Sequence, residues 1–98
     1  VNQYYILNGQ TPIPCIDVST FSRWFENADR QVCVDIIDGV RVSTVFLGLD
    51  HRWGEGPPLL FETMIFGGEH DQYQNRYSTW AEAVEGHAKA LALVKGSK

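Results

Sequence analysis

The stretch "LGLDHRWGEGPPLLFETMIFGG", residues 47–68, sets three groups capable of proton chemistry among apolar neighbours: Asp50, His51 and Glu62. Asp50 and His51 precede a connection rich in glycine and proline, and Glu62 stands in the middle of the apolar run "LLFETMIF". If the two segments are arms of one hairpin, a residue between 48 and 50 faces Glu62 and the three groups become neighbours. A carboxylate beside an imidazole can act as a general acid–base pair or supply part of a metal site. The structural alternative is that Glu62 accepts hydrogen bonds from a buried Arg, His or Trp while Asp50 and His51 cap the loop, because buried charges are normally paired. A zinc site would also need His70 or Asp71. No ligand pair of the form H-x-x-x-H is present, so neither a metal nor a cofactor is expected.

Trp53 lies in the same loop, flanked by Arg52 and Glu55. An aromatic ring in a Gly/Pro loop either anchors a partner or folds back over the sheet edge. The candidate binding set is therefore Asp50, His51, Arg52, Trp53, Glu55 and Glu62, with no catalytic residue assigned. His87, on the apolar stripe of the last helical segment, reads as a core histidine hydrogen-bonded to a backbone group. "FGGEHD" at 66–71 lacks the lysine and the immediate helix start of a phosphate cradle. Ser43, Ser78 and Cys33 have no nucleophile-elbow motif around them.

The elements that position these groups are marked by turn signals. "NG" at 8–9 and "DG" at 38–39 each predict a hairpin. The second pairs Ile37 with Val40 and sets Asp35 opposite Val42. Pro12 and Pro14 make the return arm of the first an edge strand or an extended arm. Asp17 or Ser19 can cap a helix whose apolar stripe is Phe21, Trp24, Phe25 and Ala28, ending near 28–30. "EHDQYQNRYS" reads as a polar loop. Thr79 and Glu82 fit a capping box for a final helix with Trp80, Val84, His87, Leu91 and Val94 on one face. The predicted order is β-β-α-β-β-β-α, an α+β fold with a mostly antiparallel sheet of about five strands and two helices.

Both faces of 59–66, and nearly both of 42–49, are apolar, whereas a sheet covered on one side alternates apolar with polar. These strands are predicted to be central and covered on both faces. The cover comes from helices on opposite sides, or from helices on one side and a partner subunit on the other, which predicts a two-fold homodimer.

With 98 residues the chain is expected to be one domain, 1–98, with 94–98 a flexible tail. The net charge of −4, without basic clusters, argues against nucleic-acid binding through phosphates. No apolar run approaches the roughly 20 residues that span a bilayer, and no signal-peptide pattern is visible. Cys15 and Cys33 lack metal-ligand spacing and read as free thiols in a reducing cytoplasm.

The segments "YYILNGQTPIPC", "RWFENADR", "VSTVFLGLDHRWGEGPPLLFETMIFGG" and "RYSTWAEAVEGH" together resemble short uncharacterised proteins encoded by bacteriophages, prophages and related bacterial mobile DNA. The resemblance covers almost the whole chain. It implies a phage or bacterial cytoplasmic origin, but no activity and no functional residue. The leading expectation is a small phage-type accessory binding domain acting through protein–protein contact with a host or phage protein. The alternatives are a small-molecule or nucleotide binder with a pocket near Asp50, His51, Trp53 and Glu62, and a small hydrolase using those residues. The first leans away from an enzyme.

Overall fold

The computed structural model describes residues 4–52 and 54–96. Its elements are β1 (Tyr5–Asn8), β2 (Thr11–Pro14), α1 (Val18–Asn27), β3 (Gln31–Ile37), β4 (Val40–Phe46), β5 (Phe61–Phe66), β6 (Gln74–Tyr77) and α2 (Trp80–Gly96). This is the α+β class expected, with two differences. The strands form two antiparallel sheets, a β1–β2 hairpin and a four-stranded sheet ordered β3–β4–β5–β6, rather than one sheet of about five. In addition, β6 arises inside the segment read as a polar loop. Its polar residues are accommodated because it lies at the sheet edge, where Gln74 and Asn75 face solvent, Arg76 pairs with Glu62 and Tyr77 pairs with Phe61.

Local chemistry explains the boundaries. Asp38 and Gly39 hold φ values of +49° and +80°, the left-handed pair that a two-residue hairpin loop needs. They align Ile37 with Val40 and Asp35 with Val42. In the first hairpin Asn8 pairs with Thr11, so the loop is Gly9–Gln10, one residue later than the "NG" signal. The Asp17 carboxylate caps α1, accepting from the Ser19 backbone N–H at 3.0 Å and from the Thr20 hydroxyl at 2.7 Å. The capping box of α2 is reciprocal: the Glu82 N–H donates to Thr79 Oγ1, and the Thr79 N–H donates to Glu82 Oε1, both at 3.1 Å.

The buried face of α2 is Ala83, Gly86, His87, Ala90 and Val94, while Val84 is exposed. It is a narrower, smaller-residue face than the predicted stripe, and it lets the helix lie close to the sheet. At Gly86 a Cβ would come within 2.1 Å of the Tyr77 ring and hydroxyl, so β6 and α2 touch where only glycine fits. The helix runs to Gly96, and Val94 packs on Val42 and Ile65, so residues 94–96 are helical where a flexible tail was expected.

The core lies between α2 and one face of the sheet. That face presents three successive cross-strand pairs: Val42 with Ile65, Thr44 with Thr63, and Phe46 with Phe61. The first joins Ala90 and Val94 in one apolar cluster, and the last joins Leu60 and Ala83 in another. Between them the two threonines and His87 form a polar layer. The β1–β2 hairpin and α1 close the end of the same face, with the Trp24 ring edge-on to Phe46 at 5.8 Å and Tyr5 and Leu7 beside it. Gly48, with φ +81°, lets the chain pass the Phe21 and Phe25 rings, which a Cβ would approach to 3.1 Å.

Strands β4 and β5 are central, as expected. The expected cover of both faces is not supplied by the described residues, because α2 and α1 share one side. The other face carries Val34, Ile36 and Phe66 at 48%, 70% and 37% exposure, with half-buried Val45 and Met64 between them.

Candidate functional site

The loop after β4 is held by its own side chains. Asp50 Oδ1 accepts from the backbone N–H groups of Arg52 at 2.9 Å and Leu59 at 3.0 Å, and Oδ2 lies 2.9 Å from Arg52 Nε. Arg52 also donates to the Gly56 carbonyl. Two backbone donors and a guanidinium thus occupy the Asp50 carboxylate, which is the loop-capping role. Glu55 is exposed near the loop tip. Trp53 lies outside the described residues.

Glu62 is not a neighbour of Asp50 and His51 across the ladder. The register is one-to-one from Arg41–Phe66 to Phe46–Phe61, which places Val45 opposite Glu62 instead of a residue from 48–50. The chain then leaves the ladder. The Leu47 N–H reaches the Leu60 carbonyl at 2.7 Å and the His51 N–H reaches that of Leu59 at 3.0 Å, so His51 sits beside Leu59. Glu62 belongs to the open face, where its Oε2 accepts from Arg76 Nε at 3.0 Å and from the Gln74 amide. A half-buried carboxylate paired with an arginine matches the structural alternative given above, although the pair lies on the open face. Among the described residues, no group of three or more His, Cys, Asp and Glu side chains is placed to hold a metal ion.

The arrangement with the strongest chemical character is one that sequence reasoning did not assemble. His87, 3% exposed, bonds through Nε2 to Asp35 Oδ2 at 2.8 Å and through Nδ1 to Thr44 Oγ1 at 2.7 Å. Thr44 Oγ1 in turn lies 2.5 Å from Thr63 Oγ1. Because an ionised carboxylate only accepts, Nε2–H donates to Asp35. With a neutral ring, Nδ1 accepts from Thr44 and Thr63 donates to Thr44. With a charged ring, Nδ1–H donates to Thr44, and either threonine can donate to the other.

Carboxylate, imidazole and hydroxyl in this sequence have the connectivity of a nucleophilic triad. Thr44 and Thr63, however, are fully buried under α2, so no substrate reaches either hydroxyl. The network satisfies polar groups inside the core. Its signal was present in the sequence: Thr44 and Thr63 interrupt apolar alternation at paired positions, and Asp35 sits in an apolar strand.

Asp35 also acts on Cys33, two residues away on the same strand face. Burial first, and then the Asp35 charge, push the Cys33 thiol above its ordinary pKa. At the far side of α2 the Tyr77 hydroxyl is buried with no well-formed hydrogen bond among the described residues, and its pKa is raised, chiefly by that burial, while nearby Thr63 and Asn75 pull it down in part. Beside it, Asn75, Glu82, Glu85 and Lys89 edge a shallow cleft of about 210 Å³. A second cleft of about 220 Å³ lies at the other end of the sheet, where Gly67, Gly68 and His70 approach Ile37, Val40 and Val94. Neither cleft includes Asp50, His51 or Glu62.

The open sheet face is the remaining feature. Arg41 lies with its guanidinium 5.4 Å from the centre of the Phe66 ring and brings a positive charge to the apolar strip. Comparison with protein-family models, curated proteins and solved structures gives no match.

Proposed function

We propose that this protein is a small accessory binding domain of phage type that acts through protein–protein contact, using the open face of its four-stranded sheet. The observation that carries the reading is that face: Val34 and Ile36 of β3 and Phe66 of β5 are exposed on it, with half-buried Val45 and Met64, on either side of Arg41 and Ser43, and neither helix covers it. Clustered exposed apolar side chains interleaved with polar groups mark contact sites on proteins. The partner that fits is an apolar protein surface carrying a carboxylate to meet Arg41. The loop 50–56 supports binding less well, because its central carboxylate and guanidinium are spent on each other and on the backbone.

Crosslinking in the producing cell, followed by purification of the tagged chain, tests this. A stoichiometric partner should be captured by the wild type and by Trp53→Ala, and lost with Phe66→Lys while the melting curve of that variant stays cooperative. A partner kept by Phe66→Lys and lost by Trp53→Ala would move the site to the loop and refute the reading.

A further inference from the structure

The two edges of the four-stranded sheet differ in kind. The β6 edge is four residues long and reads Gln74, Asn75, Arg76, Tyr77: short, polar and charged. Those are the devices by which sheet proteins keep an edge from pairing with another chain. The β3 edge has seven residues, "QVCVDII", five of them apolar, with one charge and no proline. Among the described residues its one neighbour in the sheet is β4, and residues 34–36 are exposed. A long, apolar, unprotected strand edge is a template for another strand.

Two details keep β3 competent to pair. Its one irregularity, a register shift between Gln31 and Cys33, is confined to its start. There the Gln31 side-chain amide fills the gap, donating to the Cys33 and Thr44 carbonyls at 2.8 Å each, so 33–37 runs regularly. The single charge, Asp35, is drawn onto His87 at 2.8 Å.

We propose that the β3 edge is a homodimer interface, in which two copies pair β3 with β3 antiparallel about a two-fold axis normal to the sheet and form one eight-stranded sheet. A two-fold of this kind pairs residues of equal parity. Centring it on Asp35 would set two carboxylates opposite each other, which destabilises a ladder. Centring it on Val34 pairs Val34 with itself and Cys33 with Asp35 of the other copy, inside the regular stretch 33–37. The contrast between the edges also sets the stoichiometry. Of the two edges of the four-stranded sheet only that of β3 is unprotected, and a two-fold pairing there is self-complementary, so the assembly closes at two instead of growing into a fibre. The pairing uses the backbone edge of β3, whose Val34 and Ile36 side chains also belong to the partner-binding face, and leaves both such faces on one side of the joined sheet.

Sedimentation equilibrium of the full chain over about 1–100 µM, the range of ordinary self-association constants, tests the proposal together with amide hydrogen exchange. The wild type should be a dimer at the upper end, Ile36→Lys a folded monomer, and Phe66→Lys still a dimer. In the wild type, exchange at 33–37 should slow as concentration rises, while exchange at 74–77 does not. That second measurement needs no variant. A wild type that stays monomeric throughout, a dimer that survives Ile36→Lys, or one lost with Phe66→Lys overturns edge pairing. The last result would indicate stacking of the open faces, and partner capture by the wild type and by Phe66→Lys, a position outside β3, reports separately on the function proposed above.

Discussion

Replacing His87 with alanine removes the hub of the polar layer, and the structure sets the size of the loss. The ring is buried between two apolar clusters, and truncating a large core side chain to alanine costs about 2–5 kcal/mol. Thr44 loses its bond to Nδ1, and a buried polar group left without a partner costs a further ~1–3 kcal/mol. The Thr44–Thr63 bond at 2.5 Å survives and offsets part of this. Asp35 is half-exposed, so water replaces its lost partner at little cost. The expected net loss is about 3–4 kcal/mol, a large share of the ~5–15 kcal/mol of a typical domain. Urea unfolding followed by circular dichroism reads it as a shift in midpoint at unchanged slope. Asp35→Asn, which keeps an acceptor for Nε2–H, should lose only about 1 kcal/mol by the same assay. A His87→Ala loss below about 1 kcal/mol with an unchanged slope would refute the network as a stabilising element, since neither the cavity nor the orphaned hydroxyl would then be felt.

Three other perturbations probe separate features. The Thr20 hydroxyl first, and the Ser19 N–H second, hold the Asp17 carboxyl below its usual pKa. Its stabilising contribution is therefore present above the unfolded-state value and disappears as pH falls through the folded-state one. The melting temperature of Asp17→Asn should lie below that of the wild type near neutrality, with the gap closing below about pH 4; a gap constant with pH would count against the cap. Cys33, with its thiol pushed up by burial and by Asp35, should be alkylated by iodoacetamide more slowly than free cysteine at pH 8, and Asp35→Asn should speed the reaction, both followed by peptide mass spectrometry. Gly86→Ala should lower stability despite the roughly 1 kcal/mol that alanine gains in a helix, because the new Cβ meets the Tyr77 ring at 2.1–2.4 Å, and thermal melts of the two proteins compare these effects directly.

What the sequence made legible was local. The "DG" hairpin, the Asp17 cap and the Thr79–Glu82 capping box each depend on residues within a few positions of one another, and all three appear in the structure. The reading weakened wherever pairing joins distant segments. Glu62 was placed beside the Asp50 loop because hairpin register was guessed from the loop, whereas the ladder is set by Val42–Ile65 and Phe46–Phe61 on the buried face. β6 was missed because an edge strand with one turned-in aromatic has no apolar alternation to detect. His87 was identified as a core histidine, yet its partners are side chains 43 and 52 residues away in sequence, not a backbone group. The small-residue face of α2 was obscured because alanine and glycine weigh little in a periodicity read from large apolar residues.

The contact of Tyr77 with Gly86 has a consequence for how the molecule assembles. Only Ser78 and Thr79 separate β6 from α2, so closing this strand–helix corner costs little chain entropy. The β5–β6 turn is just as local, with the Gln72 N–H on the Ile65 carbonyl at 2.8 Å. Two short-range contacts, one on each side of the strand, therefore hold the four mostly polar residues of β6 in the sheet. The corner also couples strand to helix. When β6 peels from β5 its ring must leave the helix too, so the edge strand and the middle of α2 open together as one cooperative unit.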